Sequence, residues 1–282
     1  MRSASWLWSR SIAVTVALLV QFAASESAAQ PSDVQIFADE PTNGLRLPSF
    51  GIAGEVDATA TVLNPATLHF LNGPTFGLVV DSADDDEVTS TGQGTGLYFG
   101  TKLGGTLLPA IGMGLGFEFL TPSRTAVEPD PGEPRRLTLS QSLALGKNAS
   151  LGLAYQRYWD VANRPLDGLS SWMLGAGARF GSRLSAGFVI RDLTAPTVGG
   201  VPVQRRYELE VVTRPLATDR LELGLGGRVG EMRGDVDGWL RWSVRLFRGL
   251  YFRGQASAVE LNQIAVSPAA GTTSESQAEY RL

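Results

Sequence analysis

The chain has 282 residues and a formal net charge of −4, with 24 lysines and arginines against 28 aspartates and glutamates, so its bulk charge does not favour nucleic acid as a partner. It contains no cysteine and a single histidine, His69, which excludes disulfides, thiolate zinc sites, thiol nucleophiles and most histidine-based catalytic or metal chemistry. Hydrophobic residues make up 43% with a mean hydropathy of +0.02, which excludes a helical membrane bundle, and 33 glycines fit a β-rich chain with many turns.

The N-terminal residues have the pattern of an export signal. Arginines precede an apolar run at residues 12–24, and Ser27-Ala28-Ala29 supplies small residues for cleavage before Gln30. The apolar run is shorter than the ~20 residues that a membrane-spanning helix needs. We therefore expect residues 1–29 to be a cleaved signal peptide, and a mature chain that enters a membrane to cross it with strands.

Residues 30–74 are predicted to be a lead-in and plug segment ahead of the first strand. Residues 30–50 have little periodicity and several prolines, so we expect them to be extended. In residues 49–71 the Ala-rich spacing predicts a short helix that ends before Pro65, since a residue preceding proline is biased away from the helical region. We expect His69, in the same segment, to be packed or hydrogen-bonded rather than a ligand.

From Thr75 onward, apolar and polar residues alternate with period two, which predicts β-strands in residues 75–282. In residues 239–259 two alternating runs are separated by Arg248-Gly249, as in a β-hairpin. The predicted strands are residues 75–81, 95–103, 108–120, 136–145, 150–159, 171–180, 184–192, 206–214, 221–229, 237–247 and 250–261, with 277–282 as the start of a twelfth.

The connections between these strands alternate in length. Short joins such as residues 146–149 and 181–183 alternate with long ones such as 121–135 and 193–205. This sorts short turns to one end of an up-and-down meander and long loops to the other, which is typical of bacterial outer-membrane barrels. The sequence therefore predicts an all-β fold, an antiparallel up-and-down transmembrane β-barrel of about 12 strands with a short N-terminal helical or plug segment. A secreted soluble barrel is the alternative.

The glycines indicate which strand face points inward. In residues 111–119, large apolar residues share one face, and Gly112, Gly114, Gly116 and Glu118 share the other. Consecutive glycines on a water-exposed strand face would only weaken the strand, whereas small residues inside a narrow barrel make room for large partners. We therefore expect the apolar faces to point to lipid and the polar faces to the lumen.

The same rule sends charged residues inward, because a charge on the lipid face near the bilayer midplane costs about 2 to 4 kcal/mol. The lumen-facing candidates are Glu118, Arg179, Arg191, Arg206, Glu208, Glu210, Arg214, Glu222, Arg228, Arg241, Arg245 and Arg253. Eight arginines against four glutamates predict a lumen with a basic excess and an anion-selective passage.

Asn64-Pro65-Ala66, with Ser49-Phe50-Gly51 ahead of it, resembles the N-terminal signature of FadL-type and PorV-like outer-membrane barrels. The resemblance extends to Ile190-Arg191-Asp192-Leu193 and Arg206-Tyr207-Glu208-Leu209. It implies an N-terminal segment within or below the barrel. Fatty acid channels of this group have about fourteen strands, so eleven strands and a partial twelfth imply the barrel portion of a longer protein. A helix-ending turn at Asn64 is the alternative interpretation of the motif.

No motif in the sequence supports catalysis, since there is no Gly-x-Ser-x-Gly, no phosphate loop and no acid pair beside a histidine. We therefore expect no enzyme activity, cofactor or metal. The expected function is a channel or uptake pore for small or apolar solutes in the bacterial outer membrane. The alternatives are a structural barrel that anchors a partner or secretion system without open conductance, and a secreted soluble ligand-binding barrel.

The expected partners are outer-membrane lipid and an unknown small solute, with no nucleic acid. Arg135-Arg136 and Arg205-Arg206 lie at predicted strand entries. There they would either meet lipopolysaccharide phosphates or add solubilising charge.

Overall fold

The computed structural model describes residues 42–45, 47, 51–81, 93–104, 110–121, 134–159, 166–198, 200–231, 236–247, 250–257 and 277–280. All of them lie in the unit Ala38–Leu282. The predicted signal peptide and the first part of the predicted lead-in lie outside the described residues. Within the described ranges, no helix is both long enough and apolar enough to span a membrane.

Twelve of the fourteen strands in the described residues form one antiparallel sheet in which each long strand pairs with its neighbours in the chain, which confirms the predicted up-and-down order. The strands are β1 (Thr75–Asp81), β2 (Gln93–Leu103), β3 (Ile111–Thr121), β4 (Arg135–Ala144), β5 (Ala149–Trp159), β6 (Ser170–Phe180), β7 (Leu184–Arg191), β8 (Thr197–Val198), β9 (Val201–Pro202), β10 (Arg206–Thr213), β11 (Leu221–Gly230), β12 (Val236–Phe247), β13 (Leu250–Ser257) and β14 (Gln277–Tyr280). The strands β8 and β9 pair only with each other, so the predicted long join between β7 and β10 contains a small hairpin.

The outward face of the sheet is apolar. In β1, Phe76 is 81% exposed and Leu78 66%, while the residues that alternate with them along the strand are half-buried. The same alternation continues with exposed large side chains on the other strands, among them Leu97, Met113, Leu139, Leu153, Phe188, Leu209, Leu223 and Leu240. Such a continuous apolar surface would be unfavourable in water, and it is what a lipid-facing barrel wall requires.

The described residues between 42 and 71 form a segment on the inner face of the sheet, which we call the plug. It contains α1 (Ala60–Leu63) and a 3-10 helix (Pro65–Phe70). Helix α1 ends at Leu63, ahead of the proline as predicted, because Pro65 disfavours helical geometry at Asn64, which is extended at φ −152° and ψ 99°. The chain then starts the 3-10 helix with the proline at its first position, where no amide hydrogen is needed.

The sheet encloses the plug. Ala58 faces Gly77 of β1, Leu68 lies over Gly100 of β2, and the 3-10 helix contacts β3 to β6. Farther around, Ile52 lies on Gly187 of β7, and Glu55 reaches Arg253 of β13. Because one short segment touches strands from β1 to β13, the sheet curls around it as a barrel wall. The strands β1 and β14 stand at the two ends of the sheet order among the described residues.

The apolar core lies between the plug and the wall. Its three clusters are Ile52 with Ala154, Met173 and Val189; Ala58 and Val62 with Tyr98; and Ala60 with Leu68 and Leu71. Each cluster contains at least one plug residue. Burial of apolar surface against the wall therefore holds the plug in place, at about 25 cal/mol per Å² buried.

Candidate functional site

The plug lies directly on a row of wall glycines. A Cβ added at Gly152 would come within 2.2 Å of the Ala66 nitrogen, and one added at Gly187 within 2.3 Å of the Ile52 oxygen. Real Cβ atoms do not approach backbone that closely, so these positions need glycine for the close approach of two chains. The inward glycine face predicted from the sequence therefore serves as the seat of the plug.

Asn64 fastens the middle of the plug to the wall. Its side-chain amide donates to the Ile52 oxygen at 2.8 Å and to the Ala176 oxygen of β6 at 3.0 Å, and its Oδ1 accepts from the Ala66 nitrogen at 3.1 Å. The Asn64 side chain is fully buried, so each of these bonds satisfies a group that water cannot reach. Asn64-Pro65-Ala66 is thus both the predicted helix-ending turn and a wall contact.

Three wall carboxylates accept hydrogen bonds from plug backbone. Glu118 accepts from the Leu45 nitrogen at 3.3 Å, and Glu210 accepts from the Ala53 nitrogen at 2.9 Å. Glu222 accepts from the Glu55 nitrogen at 3.0 Å. These carboxylates lie on β3, β10 and β11, so the plug is bound at widely separated points of the wall.

Each of the three carboxylates also has an arginine partner from the wall, on β4 for Glu118, on β12 for Glu210 and directly after β10 for Glu222. Arg136 donates to both oxygens of Glu118, at 2.6 and 2.7 Å, and Tyr98 donates to the same carboxylate at 2.6 Å. Glu210 pairs with Arg241 at 2.8 Å and Glu222 with Arg214 at 2.6 Å. A buried carboxylate without such partners would be strongly unfavourable.

The remaining interior pairs continue around the barrel. They are Arg191 with Glu208 at 2.8 Å, Arg206 with Asp192 at 3.0 Å, Arg228 with Asp237 at 2.8 Å, and Arg253 with Glu55 at 3.3 Å. Arg245 pairs with Asp219 at the short-turn rim, where both side chains are about one-third exposed. Arg191 also donates to the oxygens of Val62 and Leu63, at 3.0 and 3.2 Å. It therefore satisfies the free carbonyls at the end of α1 while it neutralises a wall carboxylate.

These pairs correct the predicted basic excess. Among the described residues, seven of the eight candidate arginines pair with a carboxylate, and four of those carboxylates were not counted from the sequence. The four are Glu55, Asp192, Asp219 and Asp237, and Glu118 pairs instead with Arg136. The charges of the interior are thus close to balanced, which removes the basis for an anion-selective passage.

Arg179 of β6 differs from the other interior arginines. Its guanidinium lies over the Phe70 ring at 4.4 Å from the centroid, and no carboxylate of the described residues lies within ion-pair distance of it. His69 packs edge-on against the same ring, with 5.2 Å between centroids. His69 is 6% exposed, and its Nδ1 has no hydrogen-bond partner among the described residues. Burial, together with the nearby charges of Lys102 and Arg179, lowers the pKa of His69.

The two arginine pairs at the strand entries are separated by the structure. Arg136 and Arg206 are both buried in interior ion pairs, so neither can meet lipopolysaccharide phosphates. Arg205 binds Glu231 at 2.9 Å and Arg135 lies over the Phe119 ring at 5.7 Å. The strand entries place one arginine inward and its neighbour outward, because successive strand residues point to opposite faces.

No known family's sequence model matches the chain, and no curated protein matches it in sequence. Two solved structures similar to it are a Pseudomonas aeruginosa FadL homologue and the Pseudomonas putida toluene transporter TodX. The first is 14% identical with a TM-score of 0.45, over 78% of this chain and 79% of that one. The second is 12% identical with a TM-score of 0.44, over 77% of this chain and 94% of that one. Both similarities are remote.

Proposed function

We propose that the chain is an outer-membrane uptake barrel for small apolar solutes and that its plug is the gate. The observation that carries this proposal is the double partnership of the wall carboxylates. Glu118, Glu210 and Glu222 each bind plug backbone on one side and a wall arginine on the other. If the plug moves away, the three carboxylates lose a backbone hydrogen bond but keep their counter-charges.

This arrangement lowers the free-energy cost of moving the plug. A backbone hydrogen bond to a charged group contributes about 1.5 to 3 kcal/mol, whereas an uncompensated buried charge costs 3 to 5 kcal/mol or more. We propose apolar solutes because Asn64-Pro65-Ala66 resembles the N-terminal signature of FadL-type barrels. TodX, one of the similar structures, is a toluene transporter.

A structural barrel without open conductance is the second candidate. The balanced ion pairs of the interior favour it, because most of them cross-link neighbouring strands and contribute to a rigid wall. In that case the plug would stay in place permanently.

Transport in reconstituted vesicles separates the two candidates. Vesicles containing the full chain should take up a radiolabelled apolar probe such as toluene or a long-chain fatty acid faster than vesicles containing a heat-denatured sample. A glucose-sized polar probe should enter no faster than into protein-free vesicles. Equal entry of the apolar probe with and without folded protein would contradict the uptake function and favour the structural barrel.

A further inference from the structure

A surface cavity of about 300 Å³ lies at the short-turn end of the barrel, lined by Arg220, Arg245, Leu246 and Phe247. It joins the turn before β11 to the end of β12, where the Arg245 nitrogen donates to the Arg220 oxygen at 2.9 Å. The cavity thus has a basic side and an apolar side, and it lies outside the plug and its wall contacts.

The apolar side of the cavity continues the outer strand face. Leu246 is 57% exposed and Phe247 is 64% exposed. The pairing of β12 with β13 shifts register between Arg245 and Phe247, so an extra residue is accommodated at the strand end. Two consecutive apolar side chains are thereby exposed where alternation would expose one, and this widens the apolar surface at the rim.

The polar side is lined by two arginines, and a carboxylate lies beside it. Arg220 is exposed and has no ion pair with any described residue, while Arg245 binds the carboxylate of Asp219, which is not itself a lining residue. Two guanidinium groups therefore line the cavity next to its apolar side, with one carboxylate adjoining Arg245. A simple anion would bind the arginines but would be repelled by Asp219. A group with a phosphate and an ammonium would satisfy all three side chains.

We propose that this cavity binds the headgroup of an amine-bearing phospholipid such as phosphatidylethanolamine. The phosphate lies against Arg220 and Arg245, the ammonium against Asp219, and an acyl chain against Leu246 and Phe247. The occupant is a membrane lipid because the apolar side of the cavity is continuous with the lipid-facing strand surface. The inference rests on the membrane placement in the proposed function, but not on transport.

Native mass spectrometry of the detergent-solubilised full chain tests the site. With matched acyl chains, we expect tighter binding of phosphatidylethanolamine than of phosphatidylglycerol, which lacks the ammonium. Arg220→Gln should weaken phosphatidylethanolamine binding about tenfold, the effect of losing one charge-assisted hydrogen bond. Asp219→Asn should reverse the lipid preference. Arg183→Gln, an exposed arginine in another short turn of the same end, is the matched control and should change nothing.

Folding of each variant is checked by its heat-modifiable migration on a gel. Equal binding of the two lipids, or loss of binding that is the same in Arg220→Gln and Arg183→Gln, would overturn the site. Uptake measured in vesicles of phosphatidylglycerol alone keeps the two proposals separate. If the vesicles take up the apolar probe but mass spectrometry shows no lipid preference, only the lipid site is refuted. If mass spectrometry shows the lipid preference but the vesicles show no uptake, only the transport function is refuted.

Discussion

Glu118 of β3 and Arg136 of β4 face each other across neighbouring strands as a two-pronged ion pair, with N–O distances of 2.6 and 2.7 Å. Both side chains are almost completely buried. The pair also reaches the plug, because Glu118 accepts from the Leu45 nitrogen and Arg136 donates to the Thr42 oxygen. One wall pair therefore joins the strand ladder to the plug.

Glu118→Gln should destabilise the barrel by about 3 to 5 kcal/mol, because it leaves the Arg136 guanidinium buried without a counter-charge. Urea unfolding of vesicle-embedded protein, followed by tryptophan fluorescence, measures the change. Glu231→Gln is the matched control, since it breaks a half-exposed pair with Arg205 and should cost no more than about 1 kcal/mol. Equal losses in both variants would show that the buried pair has no special role.

Gly152→Ala should loosen the plug, because the added Cβ would lie 2.2 Å from the Ala66 nitrogen. Overpacking of this kind costs about 1 to 3 kcal/mol, and the plug can relieve it by moving off the wall. Planar-bilayer recordings should show more frequent open events than in the unmodified protein. Gly73→Ala, where an added Cβ meets nothing within 4 Å, is the control. Indistinguishable recordings from the two variants would argue against the glycine seat.

Asn64→Ala should lower the thermal midpoint of the folded barrel. It removes a side chain whose amide and oxygen make three hydrogen bonds, leaving the Ile52 and Ala176 oxygens and the Ala66 nitrogen without this partner. Losing such buried bonds costs about 1 to 3 kcal/mol. Asn148→Ala, in the exposed turn between β4 and β5, should leave the midpoint unchanged. A midpoint that is the same for both variants would mean that Asn64 does not fasten the plug.

Stability should fall as the pH drops below about 6.5, the ordinary pKa of histidine. The pKa of His69 is lowered in the folded chain, so the unfolded chain binds a proton more readily and protonation favours unfolding. The contribution is fully present above the unfolded pKa and is lost as the pH falls toward the folded one. His69 is the single histidine of the chain. In the His69→Gln variant, the urea concentration at the unfolding midpoint should therefore change less between pH 7.5 and pH 5.5 than it does in the unmodified protein. An unchanged slope in that variant would assign the effect to other groups.

The sequence was sufficient for the strand order because period-two alternation and loop length are local signals. The inward face followed from Gly112, Gly114 and Gly116, whose role as the plug seat is visible only with the plug in place. The counter-charges were harder to find. Asp192 closes the predicted strand 184–192, but it lies one residue past β7 in a left-handed conformation at φ 54°, so strand alternation does not predict where it points. Asp219 lies in a turn, outside any strand alternation. Glu55 lies on the plug, and its pairing with Arg253 depends on how the plug crosses the barrel, which tertiary contacts determine.

The proposed gating role of the plug can be tested most directly by locking the plug to the wall. The distance from the Ala58 Cβ to a Cβ built on Gly77 is 3.7 Å, within the range that a disulfide bridges. The chain has no cysteine, so Ala58→Cys with Gly77→Cys forms a unique pair, and each single variant is a control. We predict that oxidation of the double variant abolishes uptake of the apolar probe, that reduction restores it, and that neither treatment affects the single variants. Undiminished uptake through the oxidised double variant would contradict a gating plug.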